Sequence, residues 1–161
     1  EGRGQAFSAE EGAKALVAEI VSCDDSREAQ EWVEGLDAPE AGRIELCKRM
    51  LLAAMDRPEA ERKLVAGMLS SLCVRGALEP SQVEAGCELV LKRLDDLVLD
   101  VPKAADYAAE MIAHLVEDKT VPESFLGSVP ALAGAAHSAR VLEGVNRALE
   151  QHPVQVAGLK A

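Results

Sequence analysis

Between residues 39 and 122 apolar side chains recur at the three- and four-residue spacing of a helix, and prolines punctuate the stripes at Pro39, Pro58, Pro80, Pro102 and Pro122. Proline fits the first turn of a helix, where its missing N–H would have no partner, and stops a helix that runs into it. The pattern therefore predicts a succession of helices. One opens at Pro39 and turns Ile44, Cys47, Met50, Leu51 and Ala54 inward, with Leu46, Leu52 and Met55 widening the stripe until little polar surface is left. Another opens at Pro58, faces Leu64, Val65, Met68, Leu69 and Leu72 inward, and stops near Gly76. The next begins at Pro80 as first helical residue, or at Ser81 as a cap with Glu84 three residues on, and carries Val83, Cys87, Val90 and Leu94. A further helix from about Pro102 places Ala108, Met111, Ile112 and Leu115 on one face, and Pro122 ends it.

Upstream, Ser8 with Glu11 and Asp25 with Glu28 read as capping boxes for two more helices. The first presents Leu16, Val17, Ile20 and Val21; the second presents Ala29, Trp32, Val33 and Leu36, with Trp32 packing this hairpin together across a tight link at Cys23 and Asp24. After Pro122 the pattern predicts a turn of helix at Glu123 to Leu126, an Ala/Gly-rich stretch from Ala131 to Ala136, a helix from Ser138 to Glu150 and a frayed tail.

Phe7, Trp32, Tyr107 and Phe125 are the aromatic residues in a chain that is 48% hydrophobic, so the core must be built from Leu, Val, Ala, Met and Ile. Such a core suits helices better than a sandwich. The fold class is thus all-α, and links of about three to six residues make successive helices antiparallel neighbours. Units of 1–38, 39–78 and 79–120 then form stacked antiparallel hairpins, an irregular solenoid. One helical domain is expected over 1–126, with 127–161 as its C-terminal extension. The start at Glu1 rather than Met is read as that of a piece of a longer protein.

A formal charge of -11, from 17 basic and 28 acidic residues, leaves no basic surface for direct nucleic-acid binding and favours a cationic protein patch as partner. Cys23, Cys47, Cys73 and Cys87 include no Cys-x-x-Cys pair, and three of them lie in apolar stripes. They read as reduced, buried thiols, which fits the cytosol or nucleus. No run reaches the roughly 18 apolar residues of a membrane span. His114, His137 and His152 have no metal-ligand spacing, no nucleophile motif accompanies any pair of carboxylates, and no cofactor, metal site or catalytic residue is expected.

The segment Leu94 to Lys103, LDDLVLDVPK, concentrates the chemistry: Asp95, Asp96 and Asp100 stand among leucines at the seam between two helices. Asp95 and Asp96 are placed near a helix C-terminus, where carboxylates oppose the macrodipole, a misfit that invites a partner. Asp100 has a second reading as a cap of the helix that follows.

LDDLVLDVPKA followed by VPESFL, with DDSREAQEWVEGLDAP upstream, resembles the MI (MA-3) domain family, as found in programmed cell death protein 4 and eukaryotic initiation factor 4 gamma. The resemblance covers about residues 9–126; it departs at Cys23-Asp24, where the family usually shows Gly-Asp, and it ends after Gly127. It implies a HEAT-like stack that binds the DEAD-box RNA helicase eukaryotic initiation factor 4A and inhibits or regulates its unwinding, a negative regulation of translation in the cytoplasm, and it leaves the number of MI copies in the parent chain open. It also implies that two acidic residues four apart touch the helicase, here Asp96 and Asp100, with Asp95 as a further candidate. The alternative is a structural scaffold domain of a splicing, ribosome-biogenesis or initiation complex without helicase inhibition.

Overall fold

A computed structural model describes Lys14, Ala15, Val17, Ala18, Glu31 and residues 40–150. Lys14, Ala15, Val17 and Ala18 are helical, within the predicted first helix, and Val17 is buried. Apart from these and Glu31, the first predicted hairpin, including its capping boxes, Cys23, Asp24 and Trp32, lies outside the described residues, as does the tail after Glu150.

The described chain runs through α1 (Glu40–Ala54), α2 (Glu59–Val74), α3 (Pro80–Lys92), α4 (Leu94–Asp100), α5 (Ala104–Glu117), a 3-10 turn (Glu123–Ser128), α6 (Val129–Ala133) and α7 (Ala135–Glu150). No strand occurs among the described residues. The long helices alternate between two layers: α1 packs most broadly on α3, α2 on α5, and α5 in turn on α7, while α6 lies against α3. Each hairpin thus places one helix in each layer, the arrangement of a HEAT-like stack. The stack continues through α6 and α7.

Local sequence accounts for most of the boundaries. Pro58 stands in extended conformation as the N-cap of α2, and Pro80 is the first residue of α3. Of the two starts open for α3, Pro80 prevails because Gln82, itself buried, accepts a hydrogen bond from the Glu79 N–H at 3.0 Å. Gly76 closes α2 with φ 86, letting the Ala77 and Leu78 N–H groups reach back to the Leu72 carbonyl. The end of α5 repeats this closure with a lysine: Lys119 has φ 65, and the Thr120 and Val121 N–H groups return to the Leu115 carbonyl.

Two starts differ from expectation. α5 begins at Ala104 rather than Pro102, because Pro102 and Lys103 form a turn first. α7 begins at Ala135 rather than Ser138, since Gly134 at φ 83 turns the chain and its carbonyl accepts from the His137 and Ser138 N–H groups.

The predicted stripes form the core. Cys47, Met50, Leu51, Ala54, Val65, Met68, Leu69, Leu72, Val83, Cys87, Val90, Leu94, Ala108, Met111, Ile112 and Leu115 are all buried. Ile44 and Leu64, expected inward, are only half-buried, because each lies at the margin of its helix's packed face. Cys73 is likewise half-buried, so the expectation of a buried thiol fails there.

Neighbouring helices within each layer come close together at glycines. A Cβ on Gly86 of α3 would stand 2.8 Å from the Cys47 Cβ and 3.1 Å from the Lys48 backbone nitrogen of α1. One on Gly144 of α7 would stand 2.7 Å from the Ala109 Cβ of α5. The absence of a side chain at these two sites lets the helix axes lie this near. Polar ties add direction: buried Arg62 donates from Nε to Glu110 at 2.9 Å and from a terminal nitrogen to the Arg57 carbonyl at 2.6 Å, and stacks 3.7 Å over the Tyr107 ring centroid. Thr120 donates to the Ser70 hydroxyl at 2.8 Å, tying the end of α5 to α2.

Candidate partner-binding site

The acidic segment is a helix of its own, which corrects its reading as a seam. At Arg93 the backbone leaves helical geometry (φ -105, ψ 9), and the Arg93 carbonyl then accepts from the Asp96 and Leu97 N–H groups to start α4. Asp95 and Asp96 therefore sit in the first turn of α4, not at the C-terminus of α3. Their charge is favoured there by the orphan N–H groups of the turn, so the supposed electrostatic misfit does not exist. Asp100 does not cap the next helix either: the cap position of α5 is Lys103, without a side-chain cap bond.

At about 100° per residue, Leu94, Leu97 and Val98 share the inner side of α4, while Asp95, Leu99, Asp96 and Asp100 follow one another around its outer side. Burial agrees with this wheel. Leu94 is fully buried, Leu97 and Val98 are half-buried, and all three aspartates are exposed. Leu99, amid these carboxylates, is 79% exposed. Asp96 and Asp100, four residues apart, project from one face one turn apart. Asp95 instead meets His137 of α7, whose Nε2 lies 2.8 Å from its Oδ1.

Beside α4 runs a groove of about 290 Å3 lined by Leu52, Ala53, Met55 and Asp56 of the α1 end and by Leu97, Asp100 and Val101, with Lys14 and Arg49 also on its wall. Carboxylates at an apolar groove can accept paired N–H donors from an arginine while its stem and neighbours cover the aliphatic floor. A smaller hollow of about 130 Å3 between α2, α5 and α7 sets Lys63 and Arg147 among Glu59, Asp106, Glu110 and Glu117, and its opposite charges do not converge on one ligand. Among the described residues no group of three or more His, Cys, Asp or Glu is placed to hold a metal ion. No helix among them is long and apolar enough to cross a membrane.

The family model described as the MA3 domain matches residues 9–122, which includes all of α1 to α5 and the acidic helix. The chain belongs to the MA3 domain family. MA3 domain-containing translation regulatory factor 3 of Arabidopsis thaliana is 35% identical over 79 residues, 49% of this chain and 11% of that protein. Eukaryotic translation initiation factor 4G of Oryza sativa subsp. japonica is 26% identical over 131 residues, 80% of this chain and 7% of that protein. Eukaryotic translation initiation factor 4 gamma 1 of Oryctolagus cuniculus is 25% identical over 113 residues, 70% of this chain and 8% of that protein. The chain thus spans a small fraction of the length of these relatives, and this MA3 domain is of a kind shared by translation regulatory factors and translation initiation factor 4G.

Two residues of the site escaped the sequence reading. Leu99 was within reach, since a helical wheel begun at Leu94 sets it among the aspartates; reading the segment as a seam hid it. His137 had no such signal, because it stands 42 residues from Asp95 and no local pattern links them.

Proposed function

We propose that this MA3 domain is a non-catalytic interaction module of a cytoplasmic translation regulator, which holds the DEAD-box RNA helicase eukaryotic initiation factor 4A through Asp96 and Asp100 and obstructs its unwinding of RNA. One observation carries the reading: Asp96 and Asp100 stand exposed one turn apart on α4, with exposed Leu99 beside them. A helicase grips RNA with cationic residues, and a rigid pair of carboxylates can take the place of phosphate in bidentate contacts with arginine. Leu99 and the neighbouring groove supply the apolar contact that a charge pair alone lacks. The charge of -11 steers a cationic partner toward the domain and makes the association rate fall with salt.

Asp96→Ala/Asp100→Ala should weaken binding to purified helicase by roughly 100-fold in titration calorimetry, the scale of losing two charge-assisted contacts of about 1.5 kcal/mol each. Circular dichroism should show the variant still folded, since neither side chain is buried. Undiminished binding by the folded variant refutes the assignment. The match to initiation factor 4G over 80% of this chain keeps a second reading open to test, a structural scaffold domain of an initiation complex without helicase inhibition. Titrating the helicase ATPase with and without RNA separates the two, because only obstruction lowers the RNA-stimulated rate.

A further inference from the structure

We infer that His137 is a positioning residue for the acidic helix: it latches Asp95 and thereby sets the direction in which Asp96, Leu99 and Asp100 face. The inference rests on the reading of Asp96 and Asp100 as the partner-facing pair, and it brings a residue beyond the matched segment 9–122 into the site.

The reason lies in how little else holds α4. It has seven residues, far fewer than a helix needs to be stable by itself, and Leu94 is its one buried side chain. Leu97 and Val98 pack on the core while half-exposed. A helix pinned at a buried residue next to its first turn can still swing and roll about that point. A second fixed point removes this freedom, and the His137 contact to Asp95 is one, with Nε2 at 2.8 Å from Oδ1.

The two ends of that contact differ in a way that gives it a direction. The His137 side chain is 16% exposed and that of Asp95 is 85% exposed, so the ring is the seated end and the carboxylate the held one. The post carrying the ring is itself fixed to α5. Val141 and Val145 of α7 are buried, Gly144 lies against Ala109, and Arg140 donates to both oxygens of Asp106 at 2.9 and 3.2 Å. Orientation thus passes from the core through α7 and His137 to Asp95, and along the helix to the outer face one turn on.

The test uses the full chain with His137→Ala and His137→Gln, beside Asp96→Ala/Asp100→Ala. The amide of Gln reaches about as far as Nε2 and can donate to Asp95, so the conservative variant should rescue. In the free protein, His137→Ala should speed hydrogen exchange of the Leu97 and Val101 amides about three-fold, the scale of one partly exposed charged contact, with α1 to α3 unchanged. Binding to purified initiation factor 4A should weaken about three-fold in parallel, and His137→Gln should return both toward the wild type. Unchanged α4 exchange in His137→Ala overturns the latch whatever the helicase does. Faster exchange with undiminished binding overturns its bearing on the partner. Full binding by Asp96→Ala/Asp100→Ala would sink the site reading alone, and the exchange result still decides whether His137 holds the helix.

Discussion

Gly86→Ala should destabilise the domain, against the ordinary preference of helices for alanine. In an unconstrained helix the change gains about 1 kcal/mol, because alanine has less backbone freedom to lose on folding. Here the new methyl would stand 2.8 Å from the Cys47 Cβ, 3.1 Å from the Lys48 nitrogen and 3.3 Å from the Cys47 carbonyl carbon. None of these atoms can rotate away, because all belong to the backbone of α1 or are fixed directly to it. Relief requires α3 to move off α1 by the better part of an ångström. That movement loosens Cys47, Met50, Val83 and Cys87, all of which are fully or nearly fully buried. Overpacking commonly costs about 1–3 kcal/mol, and a rigid neighbour places this site at or above the upper end. After the propensity gain the net loss is about 2 kcal/mol, which for a chain of this size lowers Tm by about 4–8 °C. Thermal and urea unfolding followed by circular dichroism measure it. Gly127→Ala is the control, since nothing stands within 4 Å of its added Cβ, and it should stay within about 0.5 kcal/mol of wild type. A Gly86→Ala protein that melts with the wild type would refute the idea that glycine sets the spacing of α1 and α3.

Three further outcomes follow from the described geometry. Lys119→Gly should raise stability by about 0.5–1 kcal/mol in urea unfolding, because Lys119 holds φ 65 at the closure of α5 where Gly76 serves α2. Arg62→Lys should cost about 1–2 kcal/mol despite keeping the charge, since a lysine cannot bond Glu110 and the Arg57 carbonyl in one plane while stacking on Tyr107, and a loss below a few tenths would show the fork to be unimportant. Burial pushes the thiols up, Cys73 to about 11, Cys87 to about 12 and Cys47 further still, so all three are protonated near neutral pH. Peptide-resolved alkylation of the native protein should modify half-buried Cys73 well before Cys47 and Cys87, and equal rates would overturn the packing assigned to α1 and α3.

The all-helical fold and its inward faces were legible in the chain because helical periodicity is a local property. Val83, Cys87, Val90 and Leu94 declare one face by spacing alone, as do Ala108, Met111, Ile112 and Leu115, and burial bears out both stripes. Boundaries written as glycine or proline were legible for the same reason, the stop at Gly76 and the start at Pro80 among them. The break at Arg93 was not, because no Gly or Pro marks it and the apolar spacing runs on through Leu94. That one missed break turned the first turn of a helix into an apparent last turn, and reversed the sign of the dipole argument for Asp95 and Asp96.

By itself, then, the sequence determined that the chain is helical, which faces of its long helices are apolar, and that acidic residues gather between the helices α3 and α5; that they stand on a helix of their own, two of them one turn apart, was decided by the structure. Tertiary structure decided the two-layer order, the close approaches at Gly86 and Gly144, and the contact of His137 with Asp95. The physical reason is one of range. Periodicity and capping arise within a few residues along the chain, whereas axis spacing and a bond across 42 residues exist only once separate helices have packed.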